Sequence, residues 1–219
     1  MNPKLLCVAA AATLLAMTAQ AQVRITEVSA WGSGNAPYAT DWFELTNTGS
    51  STLDISGWKM DDSSNGTAMV ALTGITSIAP GESVIFTESA ATASFLSTWF
   101  GNQAPTGLQI GNYTGAGVGL STSGDAVNIY NAAGVLQANV VFGLSDAVAP
   151  FQTFDNGAGL NNATINLLAA VGANGAFLSA DGQEIGSPGL APAVPEPESY
   201  ALMLAGMGLL GALARKRQR

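Results

Sequence analysis

Carboxylates carry whatever general acid and base chemistry this 219-residue chain can perform, because it contains no histidine. Without an imidazole, Ser-His-Asp hydrolysis, Cys-His proteolysis and His-ligated zinc or haem are excluded. Glu27 and Glu44 are the pair to weigh. They fall on segments that read as neighbouring strands, and glycosidases use carboxylates separated by about 5 to 9 Å. The plainer alternative is that both accept hydrogen bonds from loop backbone or face solvent. The expectation is therefore no catalytic residue and no enzyme.

Other candidates are weaker for stated physical reasons. Asp61-Asp62-Ser63-Ser64-Asn65-Gly66 offers oxygens at Asp61, Ser63 and Asn65 and a glycine where a calcium loop turns. The twelfth position is Leu72 rather than the bidentate Glu that closes such a loop, so an acidic turn is the competing reading. Calcium is the one cofactor left open, and Asp146, Asp155, Asp181 and Glu184 are too scattered to define a second site. Ser56-Gly57-Trp58-Lys59 has the Ser-x-x-Lys spacing of acyl-enzyme hydrolases. On a strand, however, positions i and i+3 face opposite ways. Gly115–Gly119 is too short for a phosphate cradle. Trp31, Tyr38 and Trp42 could stack on sugar rings, with core packing as the alternative fate.

These residues must be positioned by a short-strand framework. From Gln22 onward the apolar pattern has period two, in runs rich in Val, Ile, Thr and aromatics. Strands are expected at Val23–Val28, Asp41–Asn47, Leu53–Ile55, Trp58–Asp61, Met69–Leu72, Ile75–Ile78, Ser83–Thr87, Asp125–Tyr130 and Val135–Phe142. Pro80-Gly81 suits a tight turn and Asn131–Gly134 a hairpin. Only Ala90–Phe100 has helical spacing, with Phe95, Leu96, Trp99 and Phe100 on one face. The predicted fold is all-β, an immunoglobulin-like β-sandwich with one short helical insertion.

Both ends read as addresses. Lys4 precedes an apolar run from Leu5 to Met17, then Ala19-Gln20-Ala21, which suits a signal-peptidase cut between Ala21 and Gln22. That run is too short to cross about 30 Å of hydrocarbon. The only cysteine, Cys7, would leave with residues 1–21, so the mature chain would hold no thiol. Residues 191–219 contain Pro195-Glu196-Pro197, an apolar helix at 200–214, then Arg215-Lys216-Arg217-Gln218-Arg219. Basic residues beyond the helix should hold that end on the cytoplasmic side. Between Gln22 and Val194 two basic residues stand against 13 acidic ones, a net charge of −11. No basic face is available for nucleic acid.

The C-terminal arrangement resembles the PEP-CTERM sorting signal of Gram-negative, polysaccharide-producing bacteria. That resemblance implies an exosortase-type transpeptidase as partner, acting at Pro195-Glu196-Pro197, with transient or permanent inner-membrane insertion through the helix. Within 22–190, Ile25-Thr-Glu-Val28, Asp41-Trp-Phe-Glu-Leu-Thr-Asn-Thr48, Leu53-Asp-Ile-Ser-Gly-Trp58, Ala79-Pro-Gly-Glu82 and Ser123-Gly-Asp125 occur in order. They resemble the signature of the lamin tail domain, and Gly186-Ser-Pro-Gly189 resembles its closing turn. The resemblance implies an immunoglobulin-like fold and an interaction role. The functional expectation is an exported, non-enzymatic surface or matrix protein, structural, adhesive or associated with extracellular polysaccharide. A carbohydrate- or calcium-dependent binding module and a membrane-anchored envelope subunit are the alternatives.

Overall fold

The computed structural model describes residues 22–30, 40–63, 68–115, 117–145, 148–190 and 206–207. Alternating, β-branched segments form β1 (Val23–Ser29), β2 (Trp42–Asn47), β3 (Leu53–Asp54), β4 (Lys59–Asp61), β5 (Val70–Thr73), β6 (Ser77–Ile78) and β7 (Ser83–Thr87). Helix α1 (Thr92–Phe100) follows, then β8 (Ile110–Tyr113), β9 (Asp125–Tyr130) and β10 (Leu136–Phe142). The C-terminal extension adds β11 (Phe151–Gln152), β12 (Phe154–Asp155), β13 (Ala163–Ile165), β14 (Phe177–Leu178) and β15 (Glu184–Gly186). The fold is mainly β with one short helix, as expected.

Ten strands form one mixed sheet in the order β12-β1-β2-β7-β8-β5-β4-β9-β10-β13. The sheet curls until it is nearly closed: β1 packs near β10, Phe142 meets Phe154 at 5.0 Å, and Asp155 N–H donates to the Leu167 carbonyl. The β7–β8 pair is parallel because α1 carries the chain back across the sheet between them. Turn chemistry matches the residues placed there. Gly81 takes φ +73° after Pro80, and Asn131 Oδ1 accepts from Ala133 and Val135 N–H in the β9–β10 hairpin.

Burial separates two apolar cores. Inside the curl lie Ile25, Val28, Phe43, Leu45, Met60, Phe86 and Tyr113 with their neighbours. Outside it, Trp42 and Ile85 pack against Phe95, Trp99 and Phe100 of α1. Nine residues are too few for a helix to stand alone in water, so this contact holds α1 in place. Every residue of β2 is buried, because the face opposite the main core is roofed by α1 and the extension. The extension also adds β12 beside β1 and β13 beside β10, extending both edges of the sheet.

Candidate functional site

Glu27 and Glu44 face each other across β1 and β2, and a bulge in β1 brings them together. Ile25 pairs with Leu45, yet Glu27 pairs with Glu44, so Thr26 is an extra residue on β1. Thr26 and Glu27 thereby both serve the side away from the main core. Thr26 Oγ1 donates to Glu44 Oε1 at 2.5 Å and contacts Thr46 Oγ1, which reaches Ser83 Oγ at 2.6 Å.

The chain's C-terminal turn closes over these two carboxylates. Ser187 N–H donates to Glu27 Oε1 at 2.8 Å, and Ser187 Oγ donates to Glu27 Oε2 at 3.2 Å. Thr153 Oγ1 donates to Glu27 Oε1 at 2.5 Å, and Gly189 N–H donates to Glu44 Oε2 at 2.6 Å. Glycine is required at Gly186, where a Cβ would overlap the Glu27 carboxylate, the Trp99 ring and Thr153. At Gly189 the backbone takes φ +76°. Glu27 and Glu44 thus clasp residues 186–189 to the β1–β2 pair across 160 and 145 positions of sequence.

Both glutamates are almost wholly hidden, at 1% and 0% exposure. Burial pushes the Glu27 carboxyl up to about 8, aided by the Glu44 charge and opposed by the Thr153 and Ser187 donors. Burial likewise pushes Glu44 up to about 7 against its hydrogen bonds from Thr26, Gly189 and Ser83. Burial thus makes both carboxyls of the pair release their protons at higher pH than exposed glutamates do. Chemically the pair is an acceptor site filled by the protein's own donors, which is the hydrogen-bonding alternative raised from the sequence.

A second acidic group organises the loop before β9. Asp62 Oδ2, Asp41 Oδ2 and Asp125 Oδ2 accept from the successive N–H groups of Gly119, Leu120 and Ser121. Asp125 Oδ1 also accepts from Ser63 and Ala126 N–H. Burial and the surrounding charges of Asp41, Glu88, Asp125 and Asp62 hold the Tyr113 phenol well above its ordinary value. Asp125→Ala, which leaves three N–H groups without this acceptor, is expected to cost about 2–3 kcal/mol. Urea unfolding of the purified domain measures it; an unchanged midpoint would mean water replaces the carboxylate.

The sequence candidates fare differently. Asp61 is buried at the end of β4 opposite Asn128, while Ser63 is an exposed turn residue whose N–H is taken by Asp125. Asn65 lies outside the described residues. Among the described residues no group of three His, Cys, Asp or Glu is arranged to hold a metal ion. In the extension, Asp155 accepts from Gly157 N–H and Asn174 Nδ2, and Asp181 from Ser179 Oγ and Gln183 N–H. Trp42 is corrected as a sugar contact: it is 0% exposed, edge-on to Phe95 and Trp99 at 5.6 and 5.7 Å. Trp31, Tyr38, Ala21, Pro195, Glu196 and Pro197 lie outside the described residues. Gln22 is described, with its carbonyl accepting from Thr48 N–H at 2.7 Å.

Sequence reasoning did not find Thr26, Thr153, Ser187 and Gly189 as the partners of the two glutamates. One signal was present: Trp42 and Glu44 share a strand face, and a tryptophan on the face away from Phe43 and Leu45 marks a covered face rather than a wet one.

The comparisons with known proteins agree with this architecture. The family model described as Lamin Tail Domain matches residues 16–143, and the PEP-CTERM protein-sorting motif matches residues 193–218. No curated protein matches the chain. The first match takes in β1 through β10, including both clasp glutamates, and stops before the turn they hold. The chain belongs to the lamin tail domain family and ends in a PEP-CTERM sorting motif.

Proposed function

We propose that this is a non-enzymatic protein of the cell surface or extracellular matrix, an immunoglobulin-like module delivered there by an exosortase-type system. The observation that carries the reading is the sorting motif at 193–218, which implies export and processing by an exosortase. The chemistry of the chain supports a role without turnover. The buried Glu27–Glu44 pair is occupied by the closing turn, and no histidine offers an alternative base. Its net charge of −11 between Gln22 and Val194, from two basic and 13 acidic residues, would repel other acidic polymers. Association with an acidic polysaccharide would therefore require bridging cations.

The test is the intact mass of the native protein from membrane, outer-surface and medium fractions of the source cells. The expected species begins at Gln22 and ends near Pro195-Glu196-Pro197 outside the inner membrane. A membrane species still ending at Arg219 would overturn the reading in favour of an anchored envelope protein.

A further inference from the structure

The outer face of the β9–β10 hairpin holds a groove that the clasp does not use. Its volume is about 410 Å³, and Ser63, Asp125, Asn128, Asn139 and Val141 are among the residues that line it. Small-ligand sites span roughly 300–1,000 Å³. Strand alternation creates this lining. Val127, Ile129, Ala138 and Val140 belong to the core inside the curl, so Asn128, Asn139 and Val141 point the other way. Asn128 and Asn139 stand directly opposite each other in the ladder. Their amides form a row across the sheet: Asn139 Nδ2 donates to Asn128 Oδ1 at 3.1 Å, and Asn128 Nδ2 donates to the Asp62 carbonyl at 2.7 Å.

The lining selects a chemistry. No lysine or arginine contributes to it, so a phosphate, sulfate or carboxylate finds no counter-charge there. Asp125 is its one charged side chain, and the N–H groups of Ser63, Ser121 and Ala126 already occupy both carboxylate oxygens. What remains is uncharged and mixed. Ser63 is exposed, each amide keeps one N–H that no described residue takes, and Asn139 Oδ1 is covered without a donor among the described residues. A buried acceptor without a partner costs free energy, and the last torsion of an asparagine is soft enough to turn that oxygen toward a donor in the groove. Adjacent sugar hydroxyls complement such a set, since each hydroxyl both donates and accepts. Val141, two residues along the same strand face from Asn139 and 42% exposed, offers an apolar contact for the C–H face of a sugar ring.

We infer that this groove is a binding site for a neutral saccharide, with Asn128 and Asn139 hydrogen-bonding adjacent hydroxyls and Val141 against the ring. The inference deepens the surface or matrix reading by naming a partner class that needs no bridging cation, and it rests on that reading for where the sugar is met.

The experiment titrates the full chain, purified in a detergent without a sugar headgroup, with neutral oligosaccharides of glucose, galactose, mannose and N-acetylglucosamine. Proton–nitrogen correlation spectra follow the asparagine side-chain amides. A galacturonate oligosaccharide and an uncharged peptide of similar length are titrated beside them. At least one neutral sugar should bind and shift the Asn128 and Asn139 amide signals, equally with and without a chelator. Asn139→Ala should weaken that binding about tenfold, the worth of one well-made hydrogen bond. Val141→Asp, a change at an exposed position outside the amide row, should weaken it several-fold. Should Asn139→Ala fail to fold, Val141→Asp decides. The proposal is overturned by the absence of a shift with every neutral sugar, by tighter binding of the acidic sugar or the peptide, or by unchanged affinity in the variants. The surface reading fails separately, since a tail retained in the membrane would leave these titrations as they are.

Discussion

Glu27→Ala is expected to destabilise the folded domain by about 3–5 kcal/mol, because it leaves the buried donors on Thr153 and Ser187 without their acceptor. Glu27→Gln should behave differently. Its amide oxygen can accept from Thr153 and Ser187 N–H, its NH2 can donate to Ser187 Oγ, and it never carries the charge that burial penalises. The difference depends on pH. Both glutamates have folded values raised above the ordinary 4.5, so their favourable contribution is fully present below that value. It is lost progressively as pH rises above 4.5, and the loss is complete once pH passes about 7 and 8, where the folded pair ionises. In that window each retained proton makes stability fall by about 1.4 kcal/mol per pH unit. With no histidine in the chain, no other side chain titrates ordinarily between pH 5 and 8. Urea midpoints of the wild type should therefore fall from pH 5 to pH 8.5, and those of Glu27→Gln should fall less. A wild-type profile that is flat or rising across this range would mean that the hydrogen bonds, not burial, govern the pair.

The clasp also marks where sequence reading succeeds and where it stops. Alternation places Phe43 and Leu45 together and identifies β2, since the side-chain period of a strand is two. The Pro80-Gly81 turn, the Asn131–Gly134 hairpin and helix α1 follow from local chemistry and are found within two residues of their expected positions. Register is not local. A single extra residue at Thr26 decides that Glu27, rather than Thr26, stands opposite Glu44, and no periodicity announces a bulge. Strand β8 is not legible in the sequence, because Ile110-Gly111-Asn112-Tyr113 carries too little apolar pattern. Its glycine exists so that the Phe86 ring and the Thr73 carbonyl can approach. The extension's strands are two or three residues long, below any detectable period, and they form because sheet edges and an uncovered face already await them. Ser187 and Gly189 thus became site residues through tertiary closure.

Trp42→Ala carries the second large effect and separates the two roles open to that residue in the sequence. Its side chain is fully buried, with Phe95 and Trp99 edge-on to it, and it faces the helix rather than the main core. Removing it leaves a cavity beneath a helix too short to hold itself, so the expected loss is about 3–5 kcal/mol. The damage should extend to the clasp, because Trp99 also packs on Phe177 at 5.8 Å and stands where a Cβ at Gly186 would fall. Trp42→Phe keeps an aromatic edge in the same space and should lose less. Urea unfolding followed by far-UV circular dichroism measures both. Binding of matrix polysaccharide to the variant, under conditions where it stays folded, should match the wild type. A Trp42→Ala protein that keeps its unfolding midpoint but loses polysaccharide binding would overturn this assignment. The helix would then be a cover that lifts to expose an aromatic platform, and the outer apolar cluster, rather than the clasp, would be the part of the fold that meets a ligand.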